Sequence, residues 1–359
     1  MNNEFALRRA GVSAGLDAHK VDALLVRSPA NVRYLTGFTG SNGVLLICPD
    51  YALLLTDPRY AIQSRREVSC KIRVSKGQLL PAVAGVVHKR RIRRLGFEPA
   101  HLSYEGYDLL RGKLPMKASL EPVAGWLEEL RMVKAASEIA LIRQSVATNS
   151  KAFERAVRRV RAGMREQELA AEIDYQMRRL GAEKTSFETI VAAGERSALP
   201  HAHPTGAVFG NQQLVLIDMG AIQDGYASDM TRMLFLGSPD AKVKQVYRAV
   251  LEAQLAAIDA VRPGVKAVDV DREARRVLQA HGLDRAFVHS TGHGLGLEVH
   301  EKPRIAKKDK TRLQKDMTIT IEPGVYLEGF GGIRIEDTVV VTETGCEVLT
   351  PTSKELRCL

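Results

Sequence analysis

Along the first third of the chain, apolar residues come in short runs separated by helix-length stretches of mixed character. Residues 7–16 predict a helix and Ala23–Val26 a short buried strand. Residues 44–48 and Tyr51–Thr56 predict a hairpin turning at Pro49-Asp50, residues 94–98 another strand and residues 104–112 another helix. Strands and helices that alternate in this way predict an α/β domain.

Beyond residue 131 the spacing lengthens. From Ser137, residues Ile139, Ile142, Val146, Phe153, Val157 and Val160 fall on one helical face, and Gly163 is expected to stop that helix. A second helix carries Leu169, Ile173, Met177 and Leu180 and ends at Gly181. The arrangement returns 101 residues later: Val160-Arg161-Ala162-Gly163 matches Val261-Arg262-Pro263-Gly264, Leu169 meets Val270 and Gly181 meets Gly282. Helix pairs ending in glycine also recur by chance. The extent of this match predicts two copies related by a pseudo-twofold axis, with their strands meeting at one cleft.

Each copy closes on a hairpin with two carboxylates. Residues 214–218 and 227–230 flank Asp224-Gly225, a hairpin signal, and place Asp218 across from Asp229. Residues 318–322 and 333–336 flank a turn centred on Gly329 and place Glu322 across from Glu336. A carboxylate among apolar strand residues is costly unless compensated, and facing ones repel. Any one of the four, taken alone, reads as a solvent-facing strand position. Four at matching places in two copies predict bound divalent cations.

Histidine placement adds to this. Three of the nine histidines, His289, His293 and His300, fall within residues 288–300, and His201 and His203 fall within residues 197–204. A lone histidine in either segment would be structural. Both segments lie next to the carboxylate hairpins, which favours function. Four carboxylates and a histidine form an oxygen-rich donor set that suits Mn(II), Fe(II) or Co(II) at least as well as Zn(II). Metal-assisted hydrolysis is the reaction class that follows.

Composition limits the alternatives. A chain of 359 residues fits two domains, and its longest apolar runs fall far short of the ~20 residues of a membrane span. No signal-peptide-like apolar stretch is evident at the N-terminus. The cysteines Cys48, Cys70, Cys346 and Cys358 form no CxxC pair, so free thiols and a cytoplasmic protein are expected. The net charge of +10 raises nucleic-acid binding. Residues 1–131 carry 20 Lys+Arg against 12 Asp+Glu, and the remainder 32 against 30, so the excess is N-terminal. Its dense part, residues 89–94, holds no aromatic residue to stack on bases, and a solvated surface is the expectation.

The chain resembles the pita-bread metallopeptidases, the family of methionine aminopeptidase, Xaa-Pro aminopeptidase and prolidase, and within it the Xaa-Pro peptidases. The family's five metal ligands run Asp, Asp, His, Glu, Glu. Here Ile217-Asp218-Met219-Gly220, Ser228-Asp229-Met230-Thr231, Gly292-His293-Gly294-Leu295-Gly296, Ile321-Glu322-Pro323-Gly324 and Ile335-Glu336-Asp337 match them in order. Asn31-Val32-Arg33-Tyr34-Leu35-Thr36-Gly37 and Thr56-Asp57-Pro58-Arg59-Tyr60 resemble the creatinase-type N-terminal domain, which methionine aminopeptidases lack.

The resemblance implies a creatinase-type α/β domain over residues 1–131 and an α+β pita-bread catalytic domain over 132–359. It implies two divalent ions, foremost Mn(II) or Co(II), with Zn(II) or Fe(II) also accepted. Asp229 and Glu336 would bridge them, Asp218 would complete one, and His293 with Glu322 the other. Glu322 would also accept and return a proton, His201 would steady the intermediate and His300 would contact the substrate. His289 and Arg334 would support the pocket, and Phe187 and Tyr226 would line it. The implied substrates are small peptides with proline second, cleaved by an Xaa-Pro aminopeptidase or, alternatively, an Xaa-Pro dipeptidase. The absence of a dedicated insertion to close the pocket favours the aminopeptidase. The family also implies a homodimer, with the N-terminal domain narrowing access to the cleft. Creatinase shares both domains but uses no metal and lacks the full ligand set. A non-catalytic pita-bread protein and a basic nucleic-acid binder are the remaining alternatives, and neither a nucleic-acid nor a membrane partner is expected.

Overall fold

The apolar runs of the N-terminal part pair into one six-stranded sheet. The computed structural model describes residues 2–359, and the chain divides between Leu130 and Arg131. The first unit runs α1 (Asn2–Gly15), β1 (Ala23–Val26), α2 (Pro29–Thr36), β2 (Gly43–Cys48), β3 (Tyr51–Thr56), α3 (Ala61–Glu67), β4 (Lys71–Val74), α4 (Leu79–Arg90), β5 (Arg94–Phe97), α5 (Tyr104–Lys113) and β6 (Ser119–Pro122). The strand order is β4-β3-β2-β1-β5-β6, with β1 parallel to β5 and antiparallel to β2. All four residues of β1 are buried, as a central strand covered on both faces requires. The edge strand β4 alternates exposed and half-buried residues and carries Lys71 and Arg73, which hid it from a search for apolar runs. Within the basic cluster, Arg90 sits over the Tyr51 ring at 3.9 Å and pairs with Asp50, and Arg94 pairs with Asp22 at 2.7 Å.

Helix α6 (Trp126–Met132) runs through the boundary into the second unit. There α7 (Ala136–Val157) and α8 (Glu166–Arg179) are followed by β7 (Lys184–Thr185), β8 (Ile190–Ala193), β9 (Gln213–Met219), β10 (Ala221–Gln223), β11 (Tyr226–Ala227) and β12 (Met230–Leu236). Next come α9 (Ala241–Ala260), α10 (Ala267–Ala280), β13 (Gly292–Gly294), β14 (Glu301–Ile305), β15 (Thr318–Ile321), β16 (Gly324–Leu327), β17 (Gly331–Arg334), β18 (Asp337–Val341), β19 (Cys346–Val348) and β20 (Arg357–Cys358). The pair α9–α10 repeats α7–α8, and both α8 and α10 start and end 101 residues apart. Helix α7 ends at Val157, short of Gly163. The main sheets are β20-β12-β9-β8 and β14-β13-β15-β18-β19, one built on each copy, with the C-terminal β20 added to the first.

The two hairpins differ in register. Ile321 pairs with Asp337 and Gly324 with Arg334, so Glu322 and Glu336 stand opposite each other, as their midpoint at Gly329 predicts. In the first hairpin Asp218 pairs with Thr231, and Asp229 is two residues out of step. The turn centres on Asp224 and Gly225, whose φ values of 49° and 77° suit a tight primed turn one residue later than the midpoint of the two aspartates. A two-residue offset keeps both carboxylates on one sheet face.

Two buried charge clusters brace this unit. Arg232 is 2% exposed and donates to the carbonyls of Thr231, Glu336, Thr352 and Ser353 and to Asp337. Asp337 also accepts from Gln254 at 2.8 Å and Lys354 at 2.6 Å. Glu166, wholly buried at the start of α8, accepts from the backbone of Ala193 and Thr205 and from the Arg196 and Thr205 side chains. It thereby gathers both ends of the segment that carries His201. Removing one partner leaves buried donors unpaired. Glu166→Ala is therefore expected to lose about 3 kcal/mol of stability in urea unfolding.

Candidate metal centre

Strand ends deliver the five expected ligands to one place. Asp218 lies near the end of β9, Asp229 immediately before β12, His293 within β13, Glu322 just after β15 and Glu336 between β17 and β18. The glycines around His293 have a steric reason. A Cβ on Gly292 would lie 1.9 Å from the Thr320 carbonyl oxygen, and one on Gly294 2.1 Å from that of Lys302. Strand β13 is pressed between β14 and β15, and only glycine fits on either side of the histidine.

Asp229, His293 and Glu336 are buried, with one ligand atom from each within 4.8 Å of the others. His293 Nε2 lies 3.6 Å from Asp229 Oδ2 and 3.4 Å from Glu322 Oε1. The Nδ1 of His293 is 2.9 Å from the Gly294 carbonyl, to which it donates, leaving the Nε2 lone pair facing the two carboxylates. Burial and then His300 hold His293 down to about 4, so its ring is neutral. A lone pair aimed at carboxylates needs a cation or a proton between them.

The carboxylates lack that compensation within the protein. Burial and then the charges of Glu336, Asp218 and Glu322 push Asp229 well up, and burial with Glu322 and Asp218 does the same to Glu336. Burial raises Glu322 to about 8. Arg334 is the buried cation that offsets them, paired through Nη2 with Asp218 Oδ2. Asp218 Oδ1 and Glu336 Oε1 are buried with no hydrogen-bond partner. Orphaned oxygens, a free imidazole lone pair and an excess of carboxylates are the donor set of divalent cations. The five residues therefore fit the implied metals.

A hydrogen-bonded frame surrounds them. Arg334 Nε donates to Thr231 Oγ1 at 3.0 Å, which donates to Glu336 Oε2 at 2.9 Å. Arg334 Nη1 donates to Tyr326 Oη at 2.6 Å and to the Pro200 carbonyl at 3.3 Å. His289 Nδ1 donates to the Ser290 carbonyl, so its Nε2 accepts from Tyr326 at 2.8 Å. Burial and then Arg334 lower His289 to about 4, and burial raises Tyr326 to about 12, so both are neutral.

Thr231 and Tyr326 were missed in the sequence. Each lies an even number of residues from a ligand candidate on its own hairpin, Thr231 two residues after Asp229 and Tyr326 four after Glu322.

The other expected residues divide. His300 packs edge-to-face on His293, with ring centroids 4.4 Å apart. His201 is exposed and lies close enough to His289 and His300 to add a little to the lowering that burial causes in both. Phe187 is half-buried beside Gly220, where an added Cβ would meet its ring at 2.9 Å. Tyr226 is buried. It packs with Ile142, Val146 and Leu295, and its hydroxyl donates to Glu138 at 2.9 Å, because alternation on the short strand β11 turns it toward α7.

Comparison with known proteins agrees with this geometry. Metallopeptidase family M24 matches residues 140–343, and the Creatinase/Prolidase N-terminal domain matches residues 8–133. The chain belongs to metallopeptidase family M24. The two matches together show a creatinase-type N-terminal domain and a pita-bread catalytic domain. It is 37% identical to the Xaa-Pro dipeptidase of Pyrococcus furiosus over 95% of this chain and 97% of that one. A solved Xaa-Pro dipeptidase from Bacillus anthracis superposes with a TM-score of 0.96 at 37% identity, covering 99% of this chain and 100% of that one. The X-Pro aminopeptidase of Thermotoga maritima superposes with a TM-score of 0.90 at 35% identity, covering 98% and 100%.

Asp229→Ala and Glu336→Ala are expected to abolish Mn(II) binding in calorimetric titration. The metal-free Glu336→Gln variant is expected to melt several degrees above the metal-free parent near pH 8, because folding then no longer has to bury or protonate a carboxylate that is ionised in the unfolded chain.

Proposed function

We propose that this M24 metallopeptidase is an Xaa-Pro dipeptidase that cleaves the bond before proline in two-residue peptides. The observation that carries the choice of dipeptidase is Arg304. On β14 it stands opposite His293 in register, so the two side chains share a sheet face. It is exposed, and among the described residues its guanidinium has no hydrogen bond or ion pair. It lies close enough to lower both His293 and His300 after burial has done so. A dipeptide's proline carries a free carboxylate, and an unpaired guanidinium beside the reacting groups is its natural partner. The names of the P. furiosus and B. anthracis relatives support the same choice over the aminopeptidase that the lack of an insertion favours.

Bound divalent ions supply Lewis acidity toward a water and the scissile carbonyl. Asp218, Asp229, His293, Glu322 and Glu336 hold them, and Glu322 takes and returns the proton that moves from water to the leaving proline nitrogen. His201 and His300 face the carbonyl side, and Phe187 offers an apolar surface to the proline ring. Arg334, Tyr326 and His289 keep Asp218 and the His201 segment in place. The chain is taken to work as a cytoplasmic homodimer, and among the described residues no helix is long and apolar enough to cross a membrane.

The test compares Xaa-Pro with Xaa-Pro-Yaa-Zaa peptides under defined Mn(II), Co(II) and Zn(II). The expected result is a strong preference for the dipeptide, with Arg304→Ala raising its KM at least ~10-fold, the loss of a charge-assisted contact. Preferential cleavage of the longer peptide, insensitive to Arg304, would favour the aminopeptidase. His201→Ala is expected to keep its metal and lose ~10²-fold in turnover, the worth of one acid–base or oxyanion contact.

A further inference from the structure

One buried ionic cluster in the catalytic unit belongs to neither the ligands nor their frame. Arg131, Lys134 and Glu301 have side chains only 3%, 2% and 4% exposed. Arg131 Nη2 pairs with Glu301 Oε1 and, at 2.8 Å, with Glu298 Oε2. Lys134 Nζ pairs with Glu301 Oε2 at 3.1 Å and donates to the Met132 carbonyl at 3.3 Å. Burial alone would push the Glu301 carboxyl up, but Lys134 and Arg131 outweigh it and hold it below its ordinary value. Two cations and two carboxylates close the charge balance.

The cluster folds the chain between His293 and β14. Glu301 Oε1 also accepts the Glu298 amide at 3.1 Å, the Glu298 carbonyl accepts the Gly296 amide at 3.1 Å, and the Gly296 carbonyl accepts the Ala227 amide at 2.8 Å. The Glu301 carboxylate lies 2.7 Å from where a Cβ on Gly296 would sit, so this segment is wrapped around it. Along β14, Pro303 and Ile305 are buried whereas Lys302 and Arg304 are exposed. Alternation continued backward sends Glu301 inward and His300 outward. Fixing the Glu301 side chain therefore fixes the direction of the neighbouring imidazole.

We infer that Glu301, gripped by Arg131 and Lys134, is a positioning residue that aims His300 at the substrate. The inference rests on the hydrolase reading above. Its test is a double-mutant cycle of Glu301→Gln and His300→Ala on an Xaa-Pro dipeptide, with bound metal measured in every variant. Glu301→Gln is expected to keep its full metal content and lose roughly 10-fold or more in kcat, the effect of a misplaced group. The double variant is expected to be no slower than His300→Ala. Losses that multiply, an unchanged kcat, or loss of metal in Glu301→Gln would overturn the inference. If Glu301→Gln does not fold, Lys134→Met, which leaves Arg131 and Glu301 paired, takes its place in the cycle with the same expected non-additivity.

A second readout does not depend on turnover. The His300 ring-proton resonance, assigned by its absence in His300→Ala, reports the edge-to-face contact with His293 in the Zn(II)-loaded protein. It is expected to move in the Glu301 variant, and an unmoved resonance counts against the inference even if the parent cleaves no Xaa-Pro bond. A parent without Xaa-Pro activity but with a shifted resonance would refute the functional reading alone.

Discussion

Three buried carboxylates and the half-buried Glu322 around one neutral imidazole, with Arg334 set among them, are the constraint from which the rest of the catalytic unit follows. Burial in a low-dielectric interior makes each charge costly, and their mutual repulsion adds to the cost. The metal-free protein answers by raising Asp229, Glu322 and Glu336 and lowering His293. Such a cluster persists only because the surrounding strands hold it, and it presents an incomplete charge balance to divalent cations.

Other buried charges in the unit are arranged differently. Arg232 reaches four backbone carbonyls and Asp337, whose second oxygen takes Gln254 and Lys354. Glu301 is neutralised by Arg131 and Lys134. In those clusters each charged group meets an opposite charge within the protein, and the clusters serve to brace it. At the metal centre, Asp218 Oδ1, Glu336 Oε1 and the His293 lone pair are left over.

Strand geometry turns this chemistry into positions. Ligands at strand ends approach from different sheets, and the close flanks of β13 admit His293 only between two glycines. The same period of two carries Thr231 and Tyr326 into the frame from the hairpins that bear the ligands. It also aims His300 and Arg304 away from the buried side of β14.

The sequence by itself determined which five side chains stand as candidate ligands, the doubling of the catalytic unit and the break near residue 131. Each is a local or periodic signal: carboxylates in apolar runs, helix pairs repeating at 101 residues, a change from strand to helix spacing. It also placed Glu322 opposite Glu336, because a glycine turn at their midpoint fixes that register. Only the tertiary structure decided the offset of Asp218 from Asp229, which depends on where the Asp224-Gly225 turn falls. It likewise moved Tyr226 to Glu138, gave Arg334 to Asp218 and Tyr326, and set Arg304 opposite His293. These are contacts between residues eight to more than a hundred positions apart. No periodicity along one segment encodes which of several polar side chains another segment will meet; packing across sheets selects the partner.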